Sequence, residues 1–283
     1  MSLEEEKFAG GVAVITGAGS GIGAGFARRA GAIGMHVIVA DIDDAAAQAV
    51  ARQIRDVSGK AEAFQLDVSQ PAELDRLAHD VFDRHGSVRL LVNNAGIETL
   101  GFAWEIPVER WEKTLDVNLH GVVHGVRAFV PKMLESGAEC WIGNLASVGS
   151  FGMMPTQSAY MVTKHAVQSF SECLFLEMQL KQAPIHVCSI IPGMIRTNIF
   201  NAENSAGEPD SAERFRRSMH DMMANYGMDL EEGCAVMMRG LAEGKFWVSS
   251  QPEMTADIIA GRAAFLQGQS DPAMSDQTRA LVE

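Results

Sequence analysis

A tyrosine and a lysine four residues apart, Tyr160 and Lys164 in the stretch AYMVTKHA (159–166), share one face of a helix. The pair sets a cation beside a phenol, the arrangement that lets a poor acid release its proton near neutral pH. A free phenol, with a pKa near 10, is too weak a base at pH 7. A cation about 4 Å away in a medium of effective dielectric near 20 is worth about 4 kcal/mol, or roughly three pKa units. Lys164 is therefore expected to supply most of the shift. Taken alone the pair also fits an ordinary exposed helix face, and its meaning rests on what lies upstream.

Upstream stands the turn Thr16-Gly17-Ala18-Gly19-Ser20-Gly21-Ile22-Gly23, between an apolar run and a helical pattern. Glycines let the backbone turn tightly and approach a pyrophosphate, which sits where the free N–H groups and dipole of a helix N-terminus favour an anion. The spacing is T-G-x-x-x-G-x-G rather than G-x-G-x-x-G, because Ile22 occupies the last glycine position. Asp41 ends the next apolar run, 18 residues beyond Gly23. An acid there accepts hydrogen bonds from adenosine ribose hydroxyls and repels a 2′-phosphate. Ser20 and Ile42 are uncharged, and Arg28 and Arg29 suit surface ion pairs. NAD is thus expected over NADP. Asp43 suits a helix cap.

The elements that must position these residues alternate along the chain. Short apolar runs at 12–16, 36–40, 61–66, 89–92, 139–145, 185–191 and 245–250 read as strands. Helical patterns fall at 24–33, 43–57, 71–85, 108–134, 158–181 and 255–267. Repeated strand–helix units predict an α/β, Rossmann-type doubly wound parallel sheet of about seven strands with helices on both faces. No linker divides the chain before about residue 195, so residues 1–283 are expected to form a single domain.

The motifs together resemble the short-chain dehydrogenase/reductase family, in its compact single-domain branch, over about residues 12–197. They are the glycine turn, Asp67-Val68 after the third strand, Asn93-Asn94-Ala95-Gly96 after the fourth and Asn118 in the long helix. Ser147 then precedes Tyr160 by 13 residues, and Pro192-Gly193 with Thr197 follows the sixth strand. Each falls at a strand C-terminal end, where open α/β sheets bind ligands, or in a helix beside it. The resemblance implies Tyr160 as acid/base while hydride moves between substrate carbon and nicotinamide. It implies Ser147 as a hydrogen-bond partner of the substrate oxygen, Lys164 as holder of the nicotinamide ribose, and Asn118 as anchor of a water that links Lys164 to solvent. For NAD binding it implies Gly17, Ser20, Gly21, Ile22, Gly23, Asp41 and Ile42, then Asp67 and Val68 at the adenine. Asn94, Ala95 and Gly96 follow at the adenosine ribose, with Pro192, Gly193, Ile195 and Thr197 clamping the nicotinamide amide and phosphate.

Beyond Thr197 the chain becomes individual. Residues 198–229, polar and then rich in methionine (Met219, Met222, Met223, Met228), correspond to the segment that covers the substrate in this family. With Met153, Met154 and Met194 they read equally as a soft apolar pocket or as core. Arg196 is open between a substrate carboxylate and the cofactor phosphates. Residues 250–283 form a C-terminal extension that departs from the family's usual ending, which puts the common four-subunit arrangement in doubt. Self-association as a dimer or tetramer is expected through the helices at 108–134 and 158–181.

Composition narrows the function classes. A 47% hydrophobic, 21% charged chain builds a substantial core. A net charge of −13 argues against nucleic acid or anionic membrane as partner. No apolar run approaches the roughly 18 residues of a spanning helix, and no basic-then-apolar leader opens the chain, which suggests a cytoplasmic protein. The four dispersed cysteines read as reduced core residues. His120, His124 and His165 lack a carboxylate or cysteine partner at ligand spacing, so no metal is expected. The reading is an NAD-dependent oxidoreductase acting on the CH–OH group of a secondary alcohol, or on the matching ketone, with an apolar or aromatic body. The alternatives are an NADPH-linked ketone or 3-oxoacyl reductase and a non-catalytic dinucleotide-binding regulator.

Overall fold

The computed structural model describes residues 1–282. A short helix, α1 (Leu3–Phe8), precedes β1 (Val12–Thr16), α2 (Gly21–Ala32), β2 (His36–Asp41), α3 (Asp44–Asp56), β3 (Lys60–Gln65), α4 (Pro71–His85) and β4 (Leu90–Asn93). Then come α5 (Val108–Leu115), α6 (Gly121–Ser136), β5 (Cys140–Leu145), α7 (Ser158–Lys181) and β6 (Ile185–Ile191). The chain closes with α8 (Glu213–Tyr226), α9 (Leu230–Ala242), β7 (Trp247–Ser249), α10 (Pro252–Gly268) and α11 (Asp276–Val282). The strands pair in parallel in the order β3-β2-β1-β4-β5-β6-β7. Strand order reverses between β1 and β4, which opens a crevice at their C-terminal ends.

Strand residues alternate between two cores because successive side chains point to opposite faces. Ala13, Ile15, Val37, Val39 and Val92 pack with Phe26, Ile54 and Met237 of α2, α3 and α9. Val12, Val14, Ile38, Leu91 and Ile142 pack with Leu77, Phe129 and Leu174 of α4, α6 and α7. Both faces are therefore dry, which is why the strands read as continuous apolar runs. Asp43 caps α3 as expected, its Oδ1 accepting from the Ala46 amide at 3.1 Å. No helix of the described residues is long and apolar enough to cross a membrane.

Three boundaries differ from expectation for local reasons. The helix expected over 108–134 is broken by a π-helical turn, Asp116–His120, between α5 and α6. The extra residue in that turn aims the Asn118 amide at the 97 backbone instead of along the helix. The seventh strand shrinks to Trp247–Ser249, and α1, which the sequence did not announce, is fixed by a Ser2–Glu5 capping box. The C-terminal extension is not separate either: Leu281 and Val282 pack against the apolar cluster of Phe200, Phe215 and Met223 in the 198–229 segment.

Candidate active site

The glycine turn is held by the strand next to it. Thr16 Oγ1 accepts from the Asn94 and Ala95 amides at 3.0 and 3.1 Å, while Asn94 Nδ2 donates to the carbonyls of Thr16 and Gly17 at 2.8 and 3.1 Å. The β1 and β4 ends thus form one rigid rim. Two glycines make it possible. Gly17 has φ +63°, a left-handed conformation costly for other residues, and a Cβ on Gly23 would stand 2.2 Å from the Gly17 carbonyl oxygen. The bare backbone left there, opening α2, is a cradle suited to a pyrophosphate.

Asp41 closes the cradle. Its Oδ2 accepts from the Gly19 amide at 2.8 Å and its Oδ1 from the Asp43 amide at 3.0 Å, so the carboxylate is fixed at the rim. Asp67 Oδ1 accepts from the Ser69 amide and hydroxyl at 2.9 and 2.7 Å, which turns the chain after β3 toward the same crevice.

On the other side, Ser147 leaves β5 through a short 3-10 turn in which its Oγ accepts from the Gly149 amide at 3.0 Å. Ser150 Oγ donates to the Lys164 carbonyl at 2.8 Å and fastens that turn to α7. Lys164 is buried, with Nζ donating to the Leu145 carbonyl at 2.8 Å and lying 5.5 Å from the Tyr160 ring centroid. Burial pushes Lys164 down to about 8. Burial also pushes the Tyr160 phenol well above its ordinary range, with the charge of Glu98 adding and the Ser147 hydroxyl opposing. The downward shift expected from Lys164 is not seen: burial, and not the neighbouring cation, sets the Tyr160 phenol.

One cavity of about 800 Å³ unites these parts. Its wall includes Gly17, Ser20, Gly21, Ile22, Asp41, Ile42, Asp67, Val68, Asn94, Ala95, Gly96, Ser147, Tyr160, Lys164, Pro192, Gly193, Ile195 and Thr197. Two sequence-expected residues stand behind it. Gly23 packs the turn, and Asn118, wholly buried, accepts from the Ile97 amide at 2.8 Å and donates to the Ile97 carbonyl at 2.9 Å and Thr163 Oγ1 at 3.2 Å. Met153, Met154, Met194, Met219 and Met223 line the cavity, whereas Met222 and Met228 do not. Met219 and Met223 also pack with Phe200 and Phe215, so pocket and core are the same residues here.

Several residues carry more than the sequence disclosed. Ser250 Oγ and Gln251 Oε1 accept from the Gly193 and Met194 amides at 3.0 and 2.7 Å and hold the loop after β6. Arg196 caps the end of α8 through the Gly227 carbonyl at 3.0 Å, away from the cavity wall. Glu98, on the loop after β4, is a buried carboxyl in the cavity wall and the clearest omission. Only its place two residues beyond the Asn94–Gly96 motif could have pointed to it. Arg28 pairs with Glu231 at 2.6 Å and Arg29 with the buried Glu4, as ion pairs remote from the cradle. His120 does have a carboxylate partner, Asp116, at 2.9 Å one turn earlier, contrary to the sequence reading; both are half exposed. Elsewhere His36, Glu62 and His85 bring ligand atoms within 4.8 Å of one another, with Arg84 also on Glu62.

The model of the short chain dehydrogenase family matches residues 11–208. The probable oxidoreductase EphD of Mycobacterium tuberculosis is 35% identical over 220 residues, 76% of this chain; the match spans only 37% of that protein's length. The 3-alpha-(or 20-beta)-hydroxysteroid dehydrogenase of Mycobacterium bovis is 33% identical over 262 residues, covering 87% of this chain and 98% of that one. A short chain dehydrogenase/reductase from Burkholderia phymatum, solved in complex with NAD, superposes with a TM-score of 0.90 at 30% identity, covering 95% of this chain and 98% of that one.

Proposed function

Because the chain belongs to the short-chain dehydrogenase family, we propose that it is an NAD-dependent oxidoreductase moving a hydride between a secondary alcohol or ketone and the nicotinamide. The observation that carries the reading is that Ser147, Tyr160 and Lys164 share one cavity with the glycine cradle and Asp41. The methionines and Phe200 and Phe215 that line the rest suit an apolar or aromatic substrate body.

In this reading Gly17, Ser20, Gly21, Ile22 and Gly23 hold the pyrophosphate, and Asp41 with Ile42 the adenosine ribose. Asp67 and Val68 serve the adenine, Asn94 to Gly96 the adenosine-ribose side, and Pro192, Gly193, Ile195 and Thr197 the nicotinamide amide and phosphate. Lys164 binds the nicotinamide ribose. The nicotinamide supplies the hydride acceptor or donor. Tyr160 Oη exchanges a proton with the substrate oxygen, and Ser147 Oγ hydrogen-bonds that oxygen and stabilises the charge developing on it. Lys164, with its value near 8, is mainly cationic at pH 7 and favours the phenolate. Asn118 fixes the 97 loop and the α5–α6 break behind the site and anchors a water between Lys164 and solvent. NAD is favoured because the cavity's cations, Arg110, Lys113 and Lys164, come from α5 and α7 and none from the turn carrying Asp41.

The test is a panel of aliphatic, cyclic, steroidal and aryl secondary alcohols with NAD and with NADP, read by appearance of reduced cofactor. NAD-linked turnover is expected, with kcat/KM above that for NADP by more than about tenfold, or roughly 1.4 kcal/mol. Tyr160→Phe should lower kcat by ~10²–10⁴-fold while NAD still binds. Equal use of both cofactors removes the role given to Asp41, and a blank panel with intact NAD binding favours a regulatory protein.

A further inference from the structure

Glu98 is 3% exposed, lines the cavity and has no counter-ion bonded to its carboxyl among the described residues. Its Oε1 accepts from the Thr99 amide at 3.1 Å and its Oε2 from Gln157 Nε2 at 3.0 Å. The cations nearby are committed elsewhere. Arg110 Nη2 donates to the Glu98 backbone carbonyl at 3.1 Å, and Arg216 makes a two-pronged pair with Glu208 at 3.0 and 2.6 Å. A carboxylate so placed is costly without a partner, and the group holds its proton instead. Burial pushes it up to about 8.

Counting donors around this pair leaves two over. A neutral carboxyl has one O–H, and the Gln157 amide has two N–H and one oxygen. With the amide nitrogen on Oε2, the carboxyl proton has no acceptor among the described residues. With the amide turned over, its oxygen takes that proton and its NH₂ group is left facing out. In either arrangement a buried donor is left for the cavity, which both residues line. The backbone is strained to put it there. Thr156, the residue before Gln157, has φ +65° despite its β-branch, is held by the Gly101 amide on its carbonyl at 2.8 Å, and has a buried Oγ1 without a partner. A conformation of this kind is strained for a β-branched residue and collects at ligand sites.

We infer that Glu98 and Gln157 form a specificity-determining pair that donates a hydrogen bond to a second oxygen of the substrate. The site then takes secondary alcohols and ketones that carry a further hydroxyl, carbonyl or ether oxygen on an apolar body. This rests on the dehydrogenase reading above and narrows its substrate class. A site built to hydrogen-bond a substrate group rejects the analogue lacking it, because its own buried donor is left unpaired. The groups facing Glu98 are Tyr160 and Lys164 from α7, Arg110 from α5, and Glu208 and Arg216 from the covering segment.

The probes are cyclohexanol and phenylethanol, each against its vicinal diol, with NAD reduction as readout. The diols should be preferred in kcat/KM by about tenfold or more. Glu98→Leu should narrow that ratio to within about threefold, and Gln157→Leu should do so independently, which covers a variant that does not fold. Glu98→Gln keeps an amide donor and should keep the preference. The wild-type preference should fade above about pH 8 while that of Glu98→Gln stays level. Equal turnover of alcohol and diol, no reduction with either diol, or a Glu98→Leu protein that still prefers the diol overturns the inference. Those results leave the dehydrogenase reading standing so long as some alcohol in the wider panel reduces NAD; a wholly blank panel removes both.

Discussion

Burial in one wall shifts three titratable groups, and Glu98 is the one whose shift reaches into the neutral pH range. Its carboxyl rises from 4.5 to about 8 because the folded chain withholds water from the charged form. Between those values the folded protein binds a proton that the unfolded chain has released, so stability falls as pH rises through the window. Below 4.5 both states are protonated, the contribution is fully present and stability no longer varies with pH through this group. Lys164 acts with the opposite sign and in another window: between about 8 and 10.5 the unfolded chain holds the extra proton, and stability rises with pH. Glu98→Gln removes the first effect alone. Thermal unfolding of the two proteins from about pH 5 to 8 should show the variant gaining stability relative to wild type at each step upward. Parallel curves would mean that Glu98 is ionised in the folded protein.

At the scale of elements, the turn between β1 and α2 depends on contacts with β4. A Cβ on Gly23 would meet the Gly17 carbonyl at 2.2 Å and Asn94 Nδ2 at 2.5 Å, both parts of the rim itself. Overpacking of this kind costs about 1–3 kcal/mol, and relief must come from moving the cradle. Gly23→Ala is therefore expected to lose stability by that amount and NAD affinity by about tenfold or more, read by denaturation and by fluorescence titration. Unchanged NAD affinity would show that the turn is not the cofactor cradle. The break between α5 and α6 follows the same logic. A π-helical turn is a poorer helix, kept where the displaced residue does something, and Asn118 ties α5, α7 and the 97 loop into one unit.

At the scale of the molecule, the 198–229 segment is fastened to the loop after β4 through Glu208, which a buried ion pair within the segment holds in place. Glu208 Oε1 accepts from the Leu100 amide at 2.8 Å and from Arg216 at 2.6 Å, with Arg110 3.7 Å away. Gly101 leaves no room for a side chain because Pro209 lies against it. Removing one partner of such a pair strands the other, typically at about 3–5 kcal/mol. Arg216→Met should open the segment at 198–229 to limited proteolysis and raise substrate KM, while leaving NAD affinity near that of the wild type. An unchanged cleavage pattern would mean the pair does not hold the cover.

The sequence by itself determined the sheet, the cradle, Asp41, and the places of Ser147, Tyr160 and Lys164. Each of these is written in local pattern: apolar runs of strand length, glycines at fixed spacing, a four-residue helical repeat. Tertiary structure alone decided the rest. Thr16 meets Asn94 across 78 positions and Glu98 meets Gln157 across 59, distances over which no periodicity reaches. Nor does a residue type announce its own burial. A glutamate beside a β-strand end reads as solvated, and only the folded wall around Glu98, closed partly by a segment 110 positions later, withholds the water that would ionise it.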